Sequence, residues 1–194
     1  MGNRRLGRKR LMSLEKRGTP VLKSELGMGA GMSDTFVRAN KYRDGVFQIV
    51  EIVLDLGTAA AAIASFGAND TIGVSGQSGA IFTWTESVFG YLVDLEMLVL
   101  EIPAGGDDDL HIYAHSTAPN AAAAGNGNTN TSVDITTCKK GKSHSAAVDG
   151  DAHIAAKEFY IVSDGSDTGT YTTGKLLIRT TGFVIDENAA DTFV

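Results

Sequence analysis

The sequence predicts an all-β domain, a β-sandwich or jelly roll of about eight strands with an extended basic N-terminal arm. Three observations predict it. Apolar residues recur with period two from residue 46 onward, as they do in half-buried strands. The candidate strands are rich in Val, Ile, Thr, Phe and Tyr and are separated by Gly, Asn, Asp and Ser runs that form turns, the spacing expected of sandwiches and barrels. The basic residues are concentrated at the start of the chain, ahead of an acidic remainder.

The arm comes first. Residues 1–23 carry eight Lys or Arg against the single Glu15, a charge of +7, and the remaining 9 basic and 22 acidic residues give −13. Leu6, Leu11 and Leu14 are spaced on a short amphipathic helix over residues 1–17, with Arg4, Arg5, Arg8, Lys9 and Arg10 between them. A helix this short is marginal alone in water, so the arm is expected to order only when it docks. These eight residues, Arg4, Arg5, Leu6, Arg8, Lys9, Arg10, Leu11 and Leu14, are the candidate contacts to a neighbouring subunit or to a shell that the body sits on. Residues 18–34 hold Gly18, Pro20, Gly27, Gly29 and Gly31 and read as a flexible linker. Residues 1–34 therefore form arm and linker, and residues 35–194 the body.

In the body, Val46, Gln48, Val50, Ile52, Leu54 and Leu56 fall on one face of a strand, with Phe47, Ile49, Glu51, Val53 and Asp55 on the other. Gly57–Phe66 stays open between helix, which its five Ala favour, and strand or turn. Further strands are expected at 71–74, 80–85, 91–102, 110–115, 132–137, 159–163, 174–181 and 183–185. Ala118–Asn130 and Lys139–Asp151 read as long surface loops. Asp186–Val194 is an acidic tail ending in Phe193 and Val194, two apolar residues that need a partner surface.

Composition narrows the function. Between Asp44 and Cys138 there is no Lys or Arg, so the body cannot replace the counterions of a polyanion, and nucleic acid is an unlikely partner except through the arm. No apolar run reaches the roughly 20 residues of a membrane span, and neither a secretory signal nor a myristoylation site is expected. Cys138, the single Cys, is expected to be unreactive and fits synthesis in a reducing cytoplasm. Nucleophile-elbow, phosphate-loop and zinc-protease signatures are missing, Gly73-Val74-Ser75-Gly76 being only superficially elbow-like. His111 and His115, four apart on an expected strand, stand about 13 Å apart and cannot share one metal. The acidic turns at Asp107–Asp109, Asp149–Asp151 and Asp164–Asp167 match no calcium loop. No enzyme, metal or cofactor is expected.

The opening Met1-Gly2-Asn3-Arg4-Arg5-Leu6-Gly7-Arg8-Lys9-Arg10-Leu11, with Ser13-Leu14-Glu15-Lys16 and a Gly-rich stretch after it, resembles the start of small virion structural proteins of tailed bacteriophages, the marine ones in particular. The likeness is close over about the first 17 residues; beyond them it is one of type. It implies a capsid decoration or cement protein, made in the host cytoplasm and carried in the virion. Its implied partners are the major capsid protein or other virion subunits, and its implied form is a homotrimer. A minor head, tail or fibre-associated protein and a carbohydrate-binding β-module are the alternatives. A binding module places Trp84 with exposed Tyr side chains in a trench; a structural protein buries Trp84 and leaves apolar patches at subunit contacts.

Overall fold

The computed structural model describes residues 19–22, 24–32, 36–57, 63–115, 132–135, 138–141, 143–147 and 157–184. They form thirteen strands and one helical turn: β1 (Thr19–Pro20), β2 (Phe36–Asp44), β3 (Phe47–Asp55), β4 (Ala64–Ser65), β5 (Asp70–Thr71), β6 (Ala80–Trp84), α1 (Glu86–Phe89), β7 (Tyr91–Ala104), β8 (Leu110–His115), β9 (Ser132–Ile135), β10 (Ser143–Ala147), β11 (Lys157–Ser163), β12 (Gly169–Thr170) and β13 (Thr173–Phe183). The protein is all-β, and its strand pairs are antiparallel. Four of the thirteen strands have only two residues, which leaves nine of appreciable length where about eight were expected.

The larger sheet has the order β1-β2-β3-β13-β7-β10, and the second has β5-β11-β8-β9 with β6 also paired to β11. β4 and β12 make a separate two-stranded pair. The period-two pattern becomes one buried face in the larger sheet: Val50, Ile52 and Leu54 of β3, Leu176 and Ile178 of β13, and Leu95, Met97 and Val99 of β7. These side chains share a single cluster with Ile81 and Trp84 of β6, Leu110 and Ile112 of β8, and Phe159 and Ile161 of β11. Phe82 and Phe159 stack at 4.4 Å within it. Burying such side chains is worth about 2 kcal/mol each, so this shared cluster is the main force holding the two sheets in place.

The other face of the larger sheet is tied by charge. Arg179 of β13 sits between Glu51 of β3 at 2.8 Å and Glu96 of β7 at 3.0 Å. Lys175, two repeats of the pleat away on the same face, reaches Asp55 at 3.0 Å and Glu101 at 3.6 Å. The central strand thus supplies the cations and its two neighbours the anions.

Four expectations are corrected. β2 lies in a stretch not expected to be a strand; it forms a hairpin with β3 through Gly45 and Val46, with Gly45 at φ +61°. β10 occupies part of the expected loop at 139–151, held by pairing with β7. The two final strands are one continuous β13, because Gly182 stays in the ladder opposite Gln48 and Leu92. The stretch read as a flexible linker is packed on the body over its described residues: Val21, Leu26 and Met32 are buried in the core. Gly29 N–H donates to the Ala80 carbonyl at 2.8 Å, Gly31 N–H to that of Ser78 at 2.7 Å, and Thr83 N–H to that of Leu26 at 2.6 Å. A Cβ on Gly31 would stand 2.7 Å from the Ser78 carbonyl oxygen, so glycine here permits close backbone approach.

Of the open segment Gly57–Phe66, the described residues 63–66 contain strand β4, with Ile63 in the core. The eight arm residues from Arg4 to Leu14, the loop Ala118–Asn130, His153 and the tail Asp186–Val194 lie outside the described residues.

Candidate interaction surface

Backbone register gathers apolar side chains at one end of the larger sheet. Phe47 of β3 pairs with Phe183 of β13, and Phe183 pairs in turn with Tyr91 of β7, so three aromatic residues line up across three strands on the face away from the core. The Phe47 and Phe183 rings meet edge to face at 5.9 Å. Phe47 is 42% and Tyr91 40% exposed, and Val46 in the hairpin turn is 47% exposed. Val184 N–H donates to the Val46 carbonyl at 2.9 Å, which fixes the turn against the end of β13.

A β-bulge adds to this surface. Thr181 pairs with Asp94 but Gly182 pairs with Leu92, leaving Val93 as the extra residue. Bulges re-aim side chains; here Leu92 packs against the core while Val93 is 37% exposed. The single turn α1 brings Val88, 51% exposed, to the same end, where the Gln48 side-chain amide donates to the Val88 carbonyl at 3.2 Å. Beneath it, Phe89 packs against Trp84 with ring centroids 5.2 Å apart. A Cβ at Gly182 would collide with the Phe89 carbonyl oxygen and approach Trp84 to 2.9 Å, so the close approach of α1 to β13 needs glycine.

Five of the seven large apolar residues that are exposed among the described residues belong to this end: Val46, Phe47, Val88, Tyr91 and Val93. Single exposed apolar residues are ordinary, whereas a gathered group marks a contact surface. The charges around it are unequal. On the β7 side stands Asp94, with no Lys or Arg in the chain between residues 44 and 138. On the hairpin side Arg43 donates to the Gly45 carbonyl at 3.1 Å and adjoins Asp44. The sequence placed Phe47 on the face opposite Val50 and Ile52 but carried no signal that this end of the face is uncovered.

Trp84 is 1% exposed and donates its indole N–H to the Gly90 carbonyl at 2.9 Å. It therefore lines no trench. The cleft beside Leu100, Glu101, Ile102, Lys140, Thr173 and Lys175, of about 470 Å³, is distant in register from Trp84 and is bounded by the Lys175 ion pairs.

Two of the three acidic turns, Asp107–Asp109 and Asp164–Asp167, meet around His111, and Asp149–Asp151 lies outside the described residues. Its Nε2 lies 3.4 Å from a carboxylate oxygen of Asp109 and 3.4 Å from one of Asp164, and its ring stacks on Tyr113 at 5.6 Å. Asp107 is buried alongside: it accepts the Asp109 N–H at 3.0 Å, its own N–H donates to Ser65 Oγ at 3.0 Å, and its carbonyl accepts the Tyr171 hydroxyl at 2.8 Å. Burial pushes the Asp107 carboxyl above the usual carboxylate range, against the stabilising N–H donors of Asp109 and Gly165. Burial likewise raises Tyr171. Among the described residues no group of three or more His, Cys, Asp or Glu is arranged to hold a metal ion. His111 and His115 both lie on β8, as the extended reading of that segment expects. Cys138 is buried. No helix of the described residues is long and apolar enough to cross a membrane.

Compared with known families, curated proteins and solved structures, the chain matches no family model, no curated protein and no solved structure.

Proposed function

We propose that the chain is a non-enzymatic structural protein of a tailed-phage virion, which decorates and stabilises the capsid by oligomerising and clamping neighbouring subunits through its N-terminal arm. The observation that carries this reading is the segregation of charge: +7 in residues 1–23 against −13 in the remainder. Such a chain attracts its own copies arm to body, and contacts repeated over a lattice gain strength through avidity. The exposed apolar end of the larger sheet supports the same reading, because an arm carrying Leu6, Leu11 and Leu14 needs apolar surface to dock on. The burial of Trp84 favours it over a sugar-binding module, whose aromatic platform would have to face solvent.

In this reading the two sheets and their shared core are a β-sandwich, the oligomer is a trimer, and the partner is the major capsid protein or another virion subunit. The protein is made in the host cytoplasm and carried on the capsid. The sandwich gives a rigid body, and the arm supplies the binding, its ordering entropy offset when the leucines are buried.

Deletion of residues 1–17 tests the proposal. The truncated chain is expected to keep its near-UV circular dichroism and to fail to co-sediment with phage heads at moderate salt, while the full chain sediments in many copies per particle. Truncated protein that incorporates as well as the full chain overturns the reading.

A further inference from the structure

We propose that the apolar end of the larger sheet, centred on Phe47, Tyr91, Val93 and Phe183, is the acceptor for the basic, leucine-bearing arm of a second copy of this chain. The inference rests on the arm-clamp reading above and names the surface that reading leaves unassigned.

Three observations single out this occupant. The first is charge. Three stretches outside the described residues carry large apolar side chains: the arm, residues 148–156 with Val148 and Ile154, and the tail. The tail carries Asp186, Glu187 and Asp191 and residues 148–156 carry Asp149 and Asp151, so both would bring like charge to Asp94; the arm brings Arg and Lys to the same carboxylate.

The second is size. The aromatic row crosses three adjacent strands, two interstrand spacings or about 10 Å. On a helix Leu6 and Leu14 are eight residues apart, about 12 Å along the axis, with Leu11 between them. The leucines therefore span the row without stretching the arm.

The third is position. Thr19, where the described residues begin, pairs with Lys41 and Pro20 with Asn40 along the outer edge of β2. β1 lies four strands from β7, about 19 Å at normal strand spacing. Asp94 of β7 is thus across the sheet from Thr19, the point at which the arm joins the body. An arm arriving from a neighbouring copy can lay its cations on Asp94 without crossing its own sheet.

Cysteine pairing between full-length chains tests this. One preparation carries Leu11→Cys and the other Tyr91→Cys, both in exposed or arm positions; buried Cys138 is left in place, and unchanged near-UV circular dichroism verifies folding. Mixed under mild oxidation, they are expected to give a disulfide-linked dimer at least tenfold more abundantly than Leu11→Cys mixed with Ser166→Cys, an exposed turn position away from the surface. The dimer is expected to diminish at high salt and on Asp94→Lys. A chain carrying both Leu11→Cys and Tyr91→Cys that closes on itself as a monomer overturns the proposal, as does preferential pairing of Tyr91→Cys with Phe193→Cys. If the Leu11→Cys pair shows no excess over the control while deletion of residues 1–17 still abolishes particle binding, the acceptor assignment falls and the arm-clamp reading stands. If that deletion leaves particle binding intact, the reading itself falls.

Discussion

The indole N–H of Trp84 is bonded to the carbonyl of Gly90 at 2.9 Å, across the single turn α1. This bond closes the path from β6, in the second sheet, to β7, in the larger one, and so fixes the end of the molecule where Val88 and Tyr91 are exposed. Gly90 takes φ +80°, and a Cβ there would stand 2.5 Å from the Phe183 carbonyl oxygen, so the chain passes close to β13 at this point.

Trp84→Phe removes the donor and leaves the Gly90 carbonyl buried without it. The lost hydrogen bond and the smaller ring together are expected to cost about 2–4 kcal/mol. Urea unfolding followed by far-UV circular dichroism reads this as a lower midpoint with unchanged slope. An unshifted midpoint would mean that water satisfies the carbonyl and that the bond organises nothing.

Arg179 offers a different kind of stabilisation. Its Nε and one terminal nitrogen both donate to Glu51 Oε1, at 3.0 and 2.8 Å, and the other terminal nitrogen donates to Glu96 at 3.0 Å. These hydrogen bonds hold the guanidinium pKa above its usual value, against the opposing effect of partial burial. Arg179→Met keeps much of the stem's packing but leaves Glu51 and Glu96 facing each other across β13. The group is partly open to solvent, so a loss of about 1 kcal/mol is expected at low salt, shrinking at high salt as the repulsion is screened. Unfolding midpoints of both proteins measured at the two salt levels check this; a salt-independent difference would point to packing.

The strands that carry the core were legible because alternation forces it: a residue at every second position of β3 or β13 must face the core, and Val50, Ile52, Leu54, Leu176 and Ile178 do. β2 was not legible, because Arg38, Lys41 and Arg43 mask the alternation of a strand near the sheet edge. β10 has neither β-branched nor aromatic residues, so its conformation comes from pairing with β7 rather than from propensity. Leu26, Met28 and Met32 are interleaved with glycines in a stretch that reads as a linker, and only tertiary contact shows that Leu26 and Met32 belong to the core, with Met28 packed against it. The apolar surface was hidden for a related reason. Phe47, Tyr91 and Val93 have the composition of ordinary strand residues, and their exposure depends on where the sheet ends and on the bulge at Val93, neither of which a periodicity encodes. Conversely, the charge split was fully visible in the sequence, because it requires no knowledge of contacts.

The buried Asp107 carboxyl sets the last expectation. Its second oxygen, Oδ2, is buried without a hydrogen-bond partner among the described residues, while the first accepts the Asp109 N–H. Because burial raises its pKa in the folded state, the folded protein holds this proton more tightly than the unfolded chain. The resulting contribution to stability is fully present below the ordinary aspartate value of about 4 and is lost as pH rises through the raised folded value, where the charged carboxylate must remain buried near Asp109 and Asp167. Asp107→Asn imitates the neutral carboxyl at every pH. Any cost of placing an amide there is independent of pH, so the stability of the variant relative to the unsubstituted protein is expected to improve steadily from just below pH 4 upward and then level off above the folded value. Denaturant midpoints taken at half-unit intervals across this range check the slope. A difference that stays flat would mean that water reaching Asp107 from the Gly165 turn solvates the carboxylate, and that the folded protein pays no penalty for its charge.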